Sequence, residues 1–211
     1  MKKHLTSAVL LLVSMAAFWA CSETEAYDDH ANWKQRNTDF MAAIADSCDR
    51  YLEQGISADN ALPGQMFRLL SFKLDPEKEW SRTSDYVYCR VLSKGDGTES
   101  PLYTDSVLMN YRVRLMPSGN YPDGEIVDQS YKTDSMDPSV NIPASYKVSG
   151  LIDGVTTALM HMHTGDRWML YIPYQLAYGT KDKNSIPGYS LLIFEMNMTA
   201  FSQTGHDLPP R

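Results

Sequence analysis

Histidine and cysteine side chains are the residues of this sequence that could carry metal or thiol chemistry. His161 and His163 stand two positions apart near the end of a predicted helix, and side chains at that spacing do not share a helix face. A histidine near a helix C-terminus is electrostatically favourable without any ligand. Cys48 and Cys89 have no neighbouring CxxC pattern and no evident base to activate them. The pattern therefore indicates neither metal nor thiol catalysis, and we expect no cofactor.

The two cysteines also fit as small buried apolar residues. Cys48 falls on a predicted helix and Cys89 on a predicted strand, where cysteine behaves as a small hydrophobe. An oxidising compartment would permit a disulfide between them. The sequence favours two free thiols but leaves the bridge open.

A predicted helix occupies residues Asn32 to Gln54. Apolar residues recur there at helical spacing, and Gly55 is a natural stop. The helix is either a docking or dimerising arm or an element packed on the rest of the chain. Its aromatic face favours some partner over free solvent. The residues predicted on its buried face are Trp33, Phe40, Ile44 and Tyr51.

The second half of the chain has the pattern of a β-sheet with one short helix. β-rich runs are separated by turn residues such as Gly95-Asp96-Gly97. Residues 56–83 are ambiguous, and residues 131–144 are predicted to be irregular because they contain Pro138 and Pro143. This order indicates an α+β fold, with a helix laid on an antiparallel sheet. The predicted strands are 86–92, 106–116, 125–130, 167–172 and 191–198, and the short helix buries Val155, Ala158, Leu159 and Met162 and ends at Gly165.

A set of short motifs follows in a fixed order between Tyr86 and Phe201. Each motif alone is weak, but five or more in the right order and spacing are specific. This region resembles the FKBP-type peptidyl-prolyl isomerases, and the resemblance implies an FKBP-like antiparallel sheet wrapped around a short helix. The motifs are Val107–Tyr111, Asp123-Gly124 before Val127–Ser130, Leu151–Gly154, Tyr171-Ile172-Pro173, Ala177-Tyr178-Gly179, Ile186-Pro187 and Leu192-Ile193-Phe194.

The resemblance implies catalysis of rotation about Xaa-Pro peptide bonds. Rotation has to overcome a resonance barrier of ~18–20 kcal/mol. The twisted amide is less polar, so a dry apolar pocket favours the transition state. By resemblance, Tyr178 donates its hydroxyl to a substrate carbonyl, the Ile186 backbone N–H holds a second carbonyl, and Asp128 orients the pocket hydroxyls. The residues implied to line the proline pocket are Tyr111, Val127, Leu151, Ile152, Val155 and Phe194.

Three positions depart from the family pattern. The family usually has an aromatic residue where Val127 stands and commonly tryptophan where Val155 stands, and Ala144 aligns with a second flap aromatic. These changes imply a wider, softer pocket and reduced activity. Without the resemblance, these polar side chains have ordinary structural explanations. Tyr111 and Tyr178 fit as tyrosines of the core, and Asp128 fits as the cap of a turn.

The first twenty residues are predicted to be a secretory signal peptide. Cys21 follows where a bacterial lipoprotein signal places its lipidated cysteine, although the two residues before Ala20 are bulkier than usual. The alternative is an ordinary signal peptide followed by an unmodified thiol. We therefore expect an exported protein, lipid-anchored to the outer membrane and facing the periplasm or the cell surface. The features of the signal are Lys2-Lys3, the apolar run Val9–Phe18 and the small residue Ala20.

The sequence is acidic, with 26 Asp+Glu against 19 Lys+Arg. The sequence has no cluster of basic residues that indicates a basic face, so nucleic-acid binding is not expected. We divide the chain into a signal peptide (1–20), a tether (21–31), an N-terminal helical extension (32–84), an isomerase domain (85–201) and a C-terminal tail (202–211).

The sequence thus predicts an exported FKBP-type isomerase that assists folding of extracytoplasmic proteins. The expected partners are proline-containing segments of exported proteins, the membrane through the lipid anchor, and a second copy if the N-terminal helix dimerises. The alternative is a non-catalytic FKBP-like peptide-binding module or chaperone with a degenerate pocket, and the losses at Val127, Ala144 and Val155 favour it.

Overall fold

The computed structural model of the chain describes residues 28–210. The predicted signal peptide, Cys21 and most of the tether lie outside the described residues. Within residues 28–210, no helix is long and apolar enough to cross a membrane. The strands are β1 (Met66–Leu70), β2 (Tyr86–Ser93), β3 (Ser106–Arg114), β4 (Ile126–Gln129), β5 (Ala144–Lys147), β6 (Arg167–Ile172) and β7 (Leu192–Ser202). The helices are α1 (Trp33–Leu52) and α2 (Asp153–Leu159), with short 3-10 turns at Thr83–Asp85, Val148–Gly150 and Tyr174–Leu176.

Across the described residues the seven strands form one sheet in the order β1-β2-β6-β7-β3-β4, with β5 also paired to β3. All pairings are antiparallel. The longest strand, β7, lies in the middle and pairs with both β6 and β3. The α+β fold predicted from the sequence is confirmed.

Helix α2 packs against β1, β2 and β6, and its buried side chains belong to the hydrophobic core. Val155 and Leu159 on this helix are buried. Gly154 lets the first turn of the helix approach the sheet, because a Cβ there would lie 2.3 Å from Cγ2 of Ile172. Phe67 of β1 and Trp168 of β6 meet edge to face, with ring centroids 5.0 Å apart. The start of α2, which carries Val155, is therefore held close to β6.

Helix α1 confirms the predicted N-terminal helix within two residues at each end. Trp33 is buried, and its Nε1–H donates to Oγ of Ser190 at 2.8 Å. Phe40, Ile44 and Tyr51 are half-buried against the core. Of the two arrangements open to this helix, the structure shows an element packed on the sheet domain. A homodimer formed through this helix stays a prediction.

Strand β1 lies within the segment that the sequence left ambiguous, and within the residues assigned to the N-terminal extension. Met66, Phe67 and Leu69 are all buried, and β1 pairs along its whole length with β2. Helix α1 and helix α2 both contact this strand. A strand covered on both faces gives a nearly continuous apolar run instead of alternation, which is why its pattern was ambiguous.

The two described cysteines are free thiols with no exposed surface. Burial raises the pKa of Cys48 from 9.0 to about 11. Burial also raises the pKa of Cys89 well above its ordinary value. Both side chains act as small core residues, as the sequence favoured.

Candidate active site

A cavity of about 300 Å³ opens between β3, β7, the start of α2 and the loop that follows β6. Seven of the nine pocket residues predicted from the sequence line it. The predicted residues that the structure brings together are Tyr111, Asp128, Leu151, Ile152, Val155, Tyr178 and Phe194. Three further residues, which the sequence reasoning missed, are Met109, Tyr146 and Gly150.

The regular elements fix most of the cavity wall. Met109 and Tyr111 are two residues apart on β3 and therefore point to the same side of the sheet. Phe194 lies on the neighbouring strand β7, with its ring 6.3 Å from that of Tyr111. Val155 lies in the first turn of α2 and is 2 % exposed. The floor is therefore apolar and rigidly supported.

Asp128 and two tyrosines form a hydrogen-bonded chain at one side of the cavity. The Tyr111 hydroxyl donates to Oδ2 of Asp128 at 3.0 Å and lies 2.9 Å from the Tyr146 hydroxyl. The backbone N–H of Gln129 donates to Oδ1 of Asp128 at 2.8 Å. Burial, the Tyr146 hydroxyl and the charge of Asp128 raise the pKa of Tyr111 far above its usual range. The Tyr111 side chain thus acts as a neutral hydroxyl.

Tyr178 stands at the mouth of the cavity, where 42 % of its surface is exposed. Gly179 follows it with a φ of +77°, a conformation that favours glycine, and the Gly179 N–H donates to the Tyr174 carbonyl at 2.8 Å. Burial, followed by the charge of Asp128, raises the pKa of Tyr178. The hydroxyl therefore stays protonated at neutral pH and can donate a hydrogen bond at the opening.

Val127 is not among the residues that line the cavity, which corrects the sequence prediction. The register of β4 against β3 shifts at this point, pairing Val113 with Asp128 and Arg114 with Ile126. Val127 is thus the extra residue of a β-bulge, and it is half-buried against the core. A valine here ends short of the cavity, whereas the longer aromatic residue of the family pattern would extend further.

The role predicted for the Ile186 backbone also differs from the structure. Its N–H donates to the Lys183 carbonyl at 2.9 Å, and the Lys183 N–H donates back to the Ile186 carbonyl at 2.9 Å. The Ile186 side chain is buried and does not line the cavity. The short connection after Tyr178 folds into a closed turn, so this N–H is already occupied.

The sequence predicted that Ala144 replaces a flap aromatic, but strand β5 presents an aromatic side chain to the cavity at Tyr146. The two residues lie two positions apart on β5, where Ala144 pairs with Met109 and Tyr146 with Val107. The ring centroid of Tyr146 lies 6.0 Å from that of Tyr111. An aromatic residue two positions downstream was the signal available in the sequence, because an even shift keeps a side chain on the same face of a strand.

The long connection before β5 is held against the outer face of β3 by Arg112. Its guanidinium donates to the carbonyl oxygens of Thr133 and Asp134 and to Oε1 of Gln129, and it lies 4.5 Å from the Tyr131 ring centroid. Tyr131 and Arg112 are both buried. The connection is irregular, as predicted, but its start is firmly attached to the strand that carries Tyr111.

The site combines an apolar floor with a polar rim. Such a cavity can take a non-polar ring while the rim meets a polar group attached to it. Asp128 and Tyr178 stand on that rim, and neither is a nucleophile paired with a base. The arrangement can therefore desolvate and orient a bound amide without forming a covalent intermediate.

The chain is similar in sequence and in structure to known peptidyl-prolyl isomerases. A family profile for FKBP-type peptidyl-prolyl cis-trans isomerases matches residues 97–199. The FKBP-type isomerase FkpA of Escherichia coli is 30% identical over 159 residues, which are 75% of this chain and 52% of FkpA. The FKBP-type 22 kDa isomerase of the same species is 36% identical over 117 residues, 55% of this chain and 50% of that protein.

The chain spans about half the length of these curated relatives. Among solved structures, a peptidyl-prolyl cis-trans isomerase from Pseudomonas syringae superposes with a TM-score of 0.51 at 25% identity. That likeness covers 84% of this chain and 99% of the other. It extends well beyond the family profile, so the N-terminal part of the chain is also included.

Proposed function

We propose that the sheet domain of this chain belongs to the FKBP-type peptidyl-prolyl cis-trans isomerase family, as the profile match over residues 97–199 supports, and that the protein isomerises Xaa-Pro bonds in extracytoplasmic proteins. The observation that carries the proposal is the pairing of Asp128 with Tyr111 beside an apolar cavity, with Tyr178 at its mouth. These three side chains provide the polar groups, and the cavity provides the dry surroundings.

In the proposed mechanism the proline ring enters the apolar cavity and the preceding carbonyl stays at the rim. Phe194 and Val155 contact the ring and exclude water from it. Rotation removes the amide resonance and makes the bond less polar, so the loss of water favours the twisted state. The barrier of ~18–20 kcal/mol falls without any covalent step.

The polar side chains act on the amide while it twists. The Tyr178 hydroxyl donates to the carbonyl oxygen of the rotating bond and holds it in place as the proline ring turns. Asp128 keeps the Tyr111 hydroxyl fixed and sets a negative field on one side of the cavity. The Asp128 carboxylate also limits the directions in which the substrate carbonyl can point.

The test is a proline-isomerisation assay on the purified full chain with a short proline peptide. We expect a rate above the uncatalysed background but below that of a pocket with an aromatic floor, because Val155 offers less contact area than a large ring. A folded chain that accelerates nothing above background would refute the proposal.

A non-catalytic peptide-binding module is the second candidate. The occupied N–H of Ile186 favours it, since one expected contact to the substrate is satisfied inside the protein. This candidate requires that a proline peptide bind in the cavity without being isomerised. Binding measured by calorimetry, together with the absence of line broadening between cis and trans peptide signals in NMR, would establish it.

We further propose that the protein is exported and anchored to the outer membrane by lipid on Cys21. The sequence supports this, because Cys21 ends an apolar segment with a positive start and precedes a polar stretch. Mass spectrometry of the protein extracted from membranes should show a diacylglyceryl-modified N-terminal cysteine. A mature N-terminus with an unmodified thiol would refute the anchor and leave export alone.

A further inference from the structure

We propose that Tyr146 is a positioning residue of the isomerase site, whose hydroxyl fixes Tyr111 against Asp128. The inference rests on the proposed isomerase activity. It concerns a residue outside the set that the family resemblance implies for the pocket.

The direction of the hydrogen bonds follows from the acceptor at the end of the chain. A carboxylate has only acceptor sites, so the Tyr111 hydroxyl donates its single proton to Oδ2 of Asp128. The contact of 2.9 Å between the two tyrosine oxygens then requires Tyr146 to donate to Tyr111. Every proton in the chain thus has one defined place.

Tyr146 closes the side of Tyr111 that the other neighbours leave free. Phe194 lies beside the Tyr111 ring with an interplanar angle of 31°, and Tyr146 approaches it edge-on at 67°. The Tyr111 backbone N–H is held separately by Oγ of Ser130 at 2.9 Å. The Tyr111 ring is therefore bounded by two rings, and its hydroxyl is bounded by one donor and one acceptor.

The backbone places Tyr146 there in two ways. Strand β5 pairs with β3, setting Tyr146 opposite Val107. The connection leading into β5 is held by Arg112, the residue directly after Tyr111. The same strand therefore anchors the start of the connection through Arg112 and its end through Tyr111.

Loss of the Tyr146 hydroxyl would leave the Tyr111 oxygen without its donor in a largely buried position, since Tyr111 is 6 % exposed. The oxygen would then be satisfied by water or by a turn of the Tyr111 ring. Either change brings water or disorder to the cavity wall that the substrate meets. We therefore expect the substitution to lower kcat more than it lowers the stability of the fold.

A purely structural tyrosine would hold β5 in place and nothing more. The two possibilities separate in a double-mutant cycle, because a residue that acts through Tyr111 loses its effect once the Tyr111 hydroxyl is absent. A residue that only holds β5 would reduce activity by the same factor in either background.

The experiment compares the full chain with Tyr146→Phe, Tyr111→Phe and the double variant in the peptide isomerisation assay. Tyr146→Phe should lower kcat/KM roughly three- to tenfold, the range of one neutral hydrogen bond, mostly through kcat. It should have little effect in the Tyr111→Phe background. Tyr103→Phe serves as the matched control, since Tyr103 is an exposed tyrosine that packs against Phe72 away from the cavity.

An active wild type with unchanged Tyr146→Phe kinetics would overturn the inference and leave the proposed function standing. Equal losses in both backgrounds would also overturn it. A wild type that is folded by circular dichroism but inactive would remove the proposed function, and this inference with it.

Discussion

The side-chain oxygen of Asn37 accepts a hydrogen bond from the backbone N–H of Leu191 at 2.8 Å. The Asn37 amide nitrogen donates to the carbonyl oxygen of Trp33 at 2.8 Å, one turn earlier in helix α1. Asn37 is 2 % exposed, and Leu191 directly precedes the strand that carries Phe194. One buried amide therefore joins the N-terminal helix to the start of the central strand β7.

We expect Asn37→Ala to lower the free energy of unfolding by about 1–3 kcal/mol, because the buried N–H of Leu191 loses its acceptor. Denaturant unfolding followed by circular dichroism measures this. The exposed residue Gln35 on the same helix is the matched control, and Gln35→Ala should change stability by no more than about 0.5 kcal/mol. Equal effects of the two variants would contradict the structural role of Asn37.

Asp128→Ala and Tyr178→Phe should each lower kcat/KM roughly tenfold, because each removes a polar group aimed at the amide and leaves the apolar floor intact. Melting temperatures should stay close to that of the wild type, since both residues are substantially exposed. Asp123→Ala, at an exposed acid in the turn before β4, is the control. Unchanged kinetics in both site variants would contradict their assigned roles.

Val155→Trp should tighten peptide binding and lower KM several-fold. The ring would fill part of the cavity of about 300 Å³, and buried apolar area contributes about 25 cal/mol per Å². Peptide titration followed by calorimetry measures the change. The nearby core residue Leu159 does not line the cavity, so Leu159→Trp should only destabilise the fold. Weaker peptide binding by a folded Val155→Trp chain would contradict the prediction that the cavity has space for the indole ring.

Cys48 and Cys89 should not react rapidly with thiol reagents at pH 8 in a Cys21→Ser chain. Burial raises the pKa of both thiols, to about 11 for Cys48, so the reactive thiolate is absent. Two thiols should react once denaturant is added without reductant. Fewer than two would indicate a disulfide, and rapid reaction in the native chain would contradict their burial.

The raised pKa of Cys48 also determines how the stability of the folded chain changes with pH. The folded-state pKa of Cys48 is raised above 9.0, so the folded chain keeps a proton that the unfolded chain releases. Its contribution to stability is fully present below pH 9.0 and is lost as the pH rises towards about 11. Cys48→Ala should reduce this part of the alkaline destabilisation, as measured by unfolding at several pH values.

The sequence predicted the strands with strong alternation and the helix with strong periodicity. The site residues that lie on these regular elements were predicted as well, because strand and helix geometry fixes the positions of Tyr111, Val155 and Phe194. Strands β1 and β5 were not predicted, for different reasons. Strand β1 is buried on both faces and its apolar residues do not alternate with polar ones. Strand β5 is short and follows an irregular connection.

The errors in the site fall where local backbone geometry overrides the motif. Val127 stands at a position that the family motif assigns to the pocket, but it is the extra residue of a β-bulge and does not line the cavity. Ile186 matches the family motif, but the turn formed with Lys183 occupies its N–H. Residue types alone predict neither a β-bulge nor the hydrogen bonds within the short connection that follows Tyr178.

The central place of β7 has a consequence for folding during synthesis. Among the strands of the described residues it comes last in sequence, yet it pairs with both β6 and β3. While the chain is delivered from its N-terminus, those two strands keep unpaired edges, and open edges promote aggregation. The pocket, which includes Phe194, and the continuous sheet can be completed only after Leu192–Ser202 has emerged. The complete site therefore exists only once β7 has paired with both β6 and β3.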